Sequence, residues 1–206
     1  VSMKDINDTD FDRYLVKSDY QAVQKGFIQP YADSPMDDEQ VGEEVYISMI
    51  NKAERYCWFM TPYLIITDEM THALCLAAKR GVDVRIITPG IPDKKLIYSV
   101  TRSFYHGLVK DGVRIYEWTP GFCHAKMSVA DDCMATCGTI NLDYRSLYHH
   151  FENGCFIADC QTVLDIRDDL EATMKECREV TEKYRTGRSA YLRLGQLFMR
   201  LFAGLL

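Results

Sequence analysis

The sequence has no Cys-x-x-Cys pair, although it holds eight cysteines among its 206 residues. Cys133 and Cys137 stand four apart, but no second pair follows at zinc-site spacing, so the pattern calls for no metal centre. Most of the cysteines lie within apolar runs, where a free thiol behaves as a small buried hydrophobe. That usage fits a reducing, cytosol-side environment rather than a disulfide framework. No uninterrupted apolar stretch reaches spanning length, and the opening residues do not have the pattern of a signal peptide. Positive charge is also in short supply. With 24 Lys and Arg against 30 Asp and Glu the net charge is −6, which argues against a generic nucleic-acid binder with its basic surface. Short repeats and low-complexity tracts are missing as well.

The length suits one substantial domain with its own core, or half of a two-part enzyme. Charge is uneven along it. The first 50 residues carry eleven acids and four bases, while residues 185–206 carry four arginines and no acid. Residues 1–25 read as an acidic linker or edge segment, and the chain as a whole as a piece of something larger. The expected domain covers 26–206, with 190–206 a terminal amphipathic helix whose arginines suit an anionic membrane surface or docking on a missing half.

Between these ends, apolar periodicity alternates. Strands are expected near 26–31, over 56–60, 82–88 and 113–118, around 125–130 and 134–138, and over 154–158. Helices are expected over 37–55, 67–80, 96–110 and 160–184. Thr67 or Asp68 suits the start of the second helix and Gly81 its stop. The alternation implies an α/β layered domain.

One stretch concentrates the chemistry. His124-Ala125-Lys126 is followed by Asp131 five residues after the lysine, and then by Gly138-Thr139-Ile140-Asn141. A phosphodiester is shielded by its own negative charge. Attack requires a nucleophile, cations or donors around the oxygens, and an acid for the leaving alkoxide. Histidine is a competent nitrogen nucleophile near neutral pH. On a strand, His124 and Lys126 would share a face. Asn141 would add neutral donors and Thr139 a hydroxyl. A carboxylate on the second imidazole nitrogen would fix the tautomer. Glu152 is the leading candidate, with Asp143 and Asp131 as competitors.

The pattern His124-x-Lys126-x4-Asp131 with Gly138-Thr139-x-Asn141 resembles the signature of the phospholipase D superfamily. Thr61-Pro62-Tyr63, residues 80–86 and 112–117, Asn141-Leu142-Asp143-Tyr144-Arg145-Ser146 and Phe151-Glu152 extend the resemblance to bacterial cardiolipin synthases, from about residue 26 onward. It matches their C-terminal half, which carries the second of two signatures.

The resemblance implies a layered fold with a central mixed β-sheet flanked by helices. It also implies a phosphatidyltransferase that makes cardiolipin from two phosphatidylglycerols through a phosphatidyl-histidine, releasing glycerol and needing no cofactor. The implied site comprises His124, Lys126, Asn141 and Glu152, with Asp131 more structural than chemical. Gly138, Thr139, Arg145 and Tyr63 would bind substrate. Arg145 could instead pair with Asp143 or another acid, and Tyr63 could serve the core. His149 and His150, adjacent on an expected strand, would point to opposite faces, and His72 and His106 read as helix-face residues. The implied partners are the enzyme's N-terminal half or a second copy, and an anionic membrane surface. The implied place is the cytoplasmic side of a bacterial cell membrane. Two other functions fit the residues: a single-signature phosphodiesterase or nuclease working as a homodimer, and a non-catalytic lipid-binding module.

Overall fold

The computed structural model describes residues 19, 21–23 and 25–186. The expected terminal helix 190–206 lies outside them, as does most of the acidic segment 1–25.

In chain order the elements are β1 (Phe27–Asp33), α1 (Val41–Lys52), β2 (Tyr56–Met60), β3 (Leu64–Ile65), α2 (Asp68–Lys79), β4 (Asp83–Pro89), α3 (Lys95–Lys110), β5 (Arg114–Trp118), β6 (Met127–Ala130), β7 (Met134–Gly138), β8 (Leu142–Asp143), α4 (Tyr144–Tyr148), β9 (Glu152–Ala158), α5 (Gln161–Glu176), β10 (Cys177–Glu179) and α6 (Thr181–Thr186). Eight strands form one mixed sheet in the order β1-β9-β7-β6-β2-β4-β5-β10, and β3 pairs with β8 separately. β2, β4 and β5 run parallel because α2 and α3 carry the chain back between them. A tight turn joins β6 to β7, and β2, β6, β7, β9 and β1 pair antiparallel in that order.

The sheet separates two apolar layers. Cys57, Phe59, Ile86 and Ile115 face Met49, Ile50, Leu74 and Tyr105 from α1, α2 and α3. Trp58, Met60, Ile87 and Val129 face Val163, Ile166 and Leu170 from α5. Alternate residues of one strand thus enter different cores, which is why β2 reads as an unbroken apolar run.

The ends of the helices follow local chemistry. Thr67 caps α2 by accepting from Met70 N at 3.0 Å, and Gly81, at φ +96, takes the left-handed turn that follows. α1 starts later than the expected 37–55 because its cap comes from a distance: Asp33, at the end of β1, accepts from Gly42 N at 2.7 Å. The expected helix over 160–184 is corrected more severely. It stops at Glu176, the chain extends as β10, and α6 follows. β10 pairs antiparallel with β5, setting Arg178 opposite Glu117. Glu117 is fully buried and bonded by Arg102 and Arg178, each at 2.7 Å. A continuous helix would withdraw one of those cations from a buried carboxylate, at a cost in the range of a broken buried ion pair. No helix among the described residues is long and apolar enough to cross a membrane.

Candidate active site

The sheet register assembles the site. Met127 pairs with Cys137, and Gly138 with Gly154. The segment entering β6, the end of β7 and the start of β9 therefore meet at one end of the sheet. There a cleft of about 480 Å³ is lined by His124, Ala125, Lys126, Met127, Cys137, Gly138, Thr139, Asn141 and Glu152. The close approach requires glycine at both paired positions. A Cβ on Gly138 would stand 2.4 Å from Asn153 O, and one on Gly154 2.6 Å from the Tyr31 ring.

His124 and Lys126 precede the strand rather than lie on it, since β6 begins at Met127. Their side chains still meet as expected. Lys126 Nζ lies 3.0 Å from His124 Nδ1 and 3.2 Å from Nε2, and it donates to His124 O at 2.6 Å. The lysine is buried while the histidine is exposed. Burial pulls the Lys126 ammonium below its usual range, and the Glu152 carboxylate works in the opposite direction.

Asp131 lies elsewhere. The four residues between Lys126 and Asp131 are β6 itself, so the signature places its lysine at one end of a strand and its aspartate at the other. The strand rise sets them on the order of 16 Å apart along the backbone. Asp131, at φ +54, accepts from the backbone amides of Glu54 at 2.7 Å and of Arg55 and Tyr56 at 2.9 Å each. It ties the end of β6 to the turn that leads into β2.

Glu152 has different partners from the one expected. Its Oε2 accepts a short hydrogen bond from the Thr139 hydroxyl, and its Oε1 lies 3.7 Å from His150 Nδ1. Asp143 is no substitute behind His124. It caps α4 by accepting from Ser146 N at 2.7 Å, and burial raises its carboxyl above the usual range. Asn141 Nδ2 donates to Ser146 Oγ at 2.8 Å, which leaves its buried Oδ1 with no hydrogen-bond partner. A half-turn of the amide exchanges the two atoms. Ser146 then donates to the oxygen, and an N–H is freed for a ligand.

Arg145 and Tyr63 are outside the cleft lining. Arg145 Nε donates to His150 Nε2 at 2.9 Å rather than to Asp143. The Tyr63 hydroxyl donates to Asp93 at 2.6 Å, and burial followed by that bond pushes it up to about 12. His149 and His150 are not on a strand; His149 caps the C-terminus of α4. Sequence reasoning passed over Met127 and Cys137, which line the cleft, and Ser146, which holds Asn141. The spacing Asp143-x-x-Ser146 is a helix-capping pattern that could have flagged the last of these.

Residues 46–174 match the family described as cardiolipin synthase, PLD-like domain. The chain is 48% identical over 199 residues to an uncharacterized protein of Streptococcus mutans, covering 97% of this chain and 43% of that one. It is 32% identical over 181 residues to the cardiolipin synthase of Halalkalibacterium halodurans, covering 88% of this chain and 36% of that one. It thus spans about two fifths of the length of these relatives. Among solved structures it resembles Nuc, a phospholipase D family member from Salmonella typhimurium. The TM-score is 0.64 at 17% identity, covering 75% of this chain and 98% of that one.

Proposed function

This chain belongs to the family of cardiolipin synthase PLD-like domains, and from that premise we propose that it supplies one half of a phosphatidyltransferase site. The observation that carries the reading is the cleft itself, where His124, Lys126, Asn141 and Glu152 converge. In the proposed reaction a histidine nitrogen attacks the phosphorus of one phosphatidylglycerol. The P–N bond forms, the bond to the glycerol oxygen breaks, and the leaving alkoxide takes a proton from an acid. The headgroup hydroxyl of a second phosphatidylglycerol then attacks the phosphatidyl-histidine. Its proton passes to a base, the P–N bond breaks, and cardiolipin leaves.

Lys126 holds a phosphate oxygen as a fixed cation, and Asn141 offers a neutral donor once its amide is turned. Glu152 balances the charge of Lys126. The chemistry needs both a nucleophile and an acid, and His124 stands exposed on the open side of the cleft. It takes one of those roles, and the histidine of an N-terminal half or a second copy takes the other. The proposed substrates are membrane lipids, so the proposed place of work is a bacterial membrane surface.

The test is His124→Ala in the full-length protein supplied with phosphatidylglycerol vesicles. Cardiolipin formation should fall by at least about 100-fold, as expected for loss of a positioned acid or base. Undiminished product on lipid chromatography would sink the assignment. A trapped phosphohistidine mapped to His124 would make it the nucleophile.

A further inference from the structure

The two histidines singled out in the sequence do not line the cleft, yet one of them reaches it through a second residue. Arg145 Nε donates to His150 Nε2 at 2.9 Å, and His150 Nδ1 faces Glu152 Oε1 at 3.7 Å. A guanidinium carries donors only, so Nε2 must present its lone pair. A neutral imidazole has a single N–H, and Arg145 therefore places that proton on Nδ1, the nitrogen that faces the carboxylate. The Thr139 hydroxyl engages the opposite oxygen, Oε2.

Glu152 is thus bracketed from both sides. Its side chain is only 10% exposed, so these contacts act at low local dielectric. The other ionisable groups in electrostatic reach are Asp143 on β8, whose carboxyl feels both Glu152 and His150, Lys126, which feels Glu152, and the buried Tyr46 of α1, whose hydroxyl feels it as well.

We propose that His150 is a positioning residue for Glu152: Arg145 selects its Nδ1–H tautomer, and that N–H holds one carboxylate oxygen beside Lys126 while Thr139 holds the other. At 3.7 Å the His150 contact is electrostatic, and in the proposed arrangement it shortens to a hydrogen bond on substrate binding, as catalytic contacts commonly do. The kinetic half of the test rests on the phosphatidyltransferase reading; the spectroscopic half does not.

Long-range proton–nitrogen correlation spectra of the 15N-labelled chain at alkaline pH report the tautomer directly. The expected result is Nδ1–H at His150 in the wild type, reverting in Arg145→Ala to the Nε2–H form that free histidine favours. Nε2–H in the wild type overturns the proposal, whatever the enzyme does. In the full-length protein, His150→Leu should lower kcat roughly 10-fold, the low end for losing a hydrogen bond to a charged group, with the KM for lipid unchanged. His150→Asn keeps an N–H near the Nδ1 position and should restore most of the rate. Equal losses in the two variants, or none in His150→Leu, overturn the positioning role. If His124→Ala leaves product formation intact, the phosphatidyltransferase reading fails and the tautomer measurement still decides this one.

Discussion

Replacing Asp131 with alanine separates structure from chemistry in the signature. The Asp131 carboxylate accepts from three consecutive amides, those of Glu54, Arg55 and Tyr56. A hydrogen bond to a charged group is worth about 1.5–3 kcal/mol. Two of the three amides lie at exposed positions, where water can replace the carboxylate, so about 1 kcal/mol each is the appropriate figure. With the full figure kept for the part-buried Tyr56 amide, the loss in Asp131→Ala is about 4 kcal/mol, which for a chain of this size lowers Tm by roughly 8–16 °C. Asp131→Asn keeps one acceptor oxygen and should fall between alanine and wild type. Asp131→Gly loses the same bonds but relieves the positive φ, so it should be about 1 kcal/mol less damaging than alanine. Thermal and urea unfolding of the four proteins give the order, and lipid chromatography gives the activity of whatever remains folded. If Asp131→Ala melts like wild type but makes no cardiolipin, the structural assignment is wrong and the carboxylate belongs to the reaction.

Two further outcomes follow from local geometry. Gly138→Ala drives a Cβ to 2.4 Å from Asn153 O, whereas one on Gly121 meets nothing within 4 Å. The first variant should lose about 2 kcal/mol in urea unfolding and the second almost nothing. Asp132 is held down to about 2 by the Tyr56 hydroxyl first, then by Arg167 and Arg55. A carboxyl lowered in the folded state adds stability above its unfolded value and loses it as the pH falls toward the folded one. The difference in unfolding free energy between wild type and Asp132→Asn should be flat near neutrality and should shrink between about pH 4 and pH 2; a flat difference across that window would remove Asp132 from the acid response.

Short apolar runs closed by turns were fully legible: β2 over 56–60 and β7 over 134–138 stand where the pattern put them. Both are bounded locally, by charged residues on one side and Pro62 or Gly138 on the other. The helix expected over 160–184 failed because its break is imposed from outside. Nothing between Glu176 and Thr181 is Gly or Pro, and the residue that demands the extension is Glu117, far earlier in the chain. β3 and β8 were missed for the same kind of reason, since a two-residue strand exists only through its partner. In the site, the signature brought His124, Lys126, Gly138, Thr139 and Asn141 to one cleft, and Glu152 with them. The partners of Glu152 were not legible. Choosing among Thr139, His150 and His124 takes distances that spacing does not encode.

The topology also orders events in time. His124 through Glu152 span one stretch of chain, and β6, β7 and β9, which bring them together, are neighbours in space, with only β8 and α4 intervening in sequence. Closing that unit takes a tight turn and one connection through β8 and α4, both short beside the β1–β9 closure, so its entropic cost is smaller. β1 is the opposite case: it pairs with β9 across nearly the whole described chain, from Phe27 to Ala158, and closes the longest loop in the sheet. Asp33, the cap of α1, arrives with it. The cleft wall can therefore form during folding before the helix on its flank has been fixed in place, and loss of β1 from the folded protein would loosen α1 before it opened the cleft.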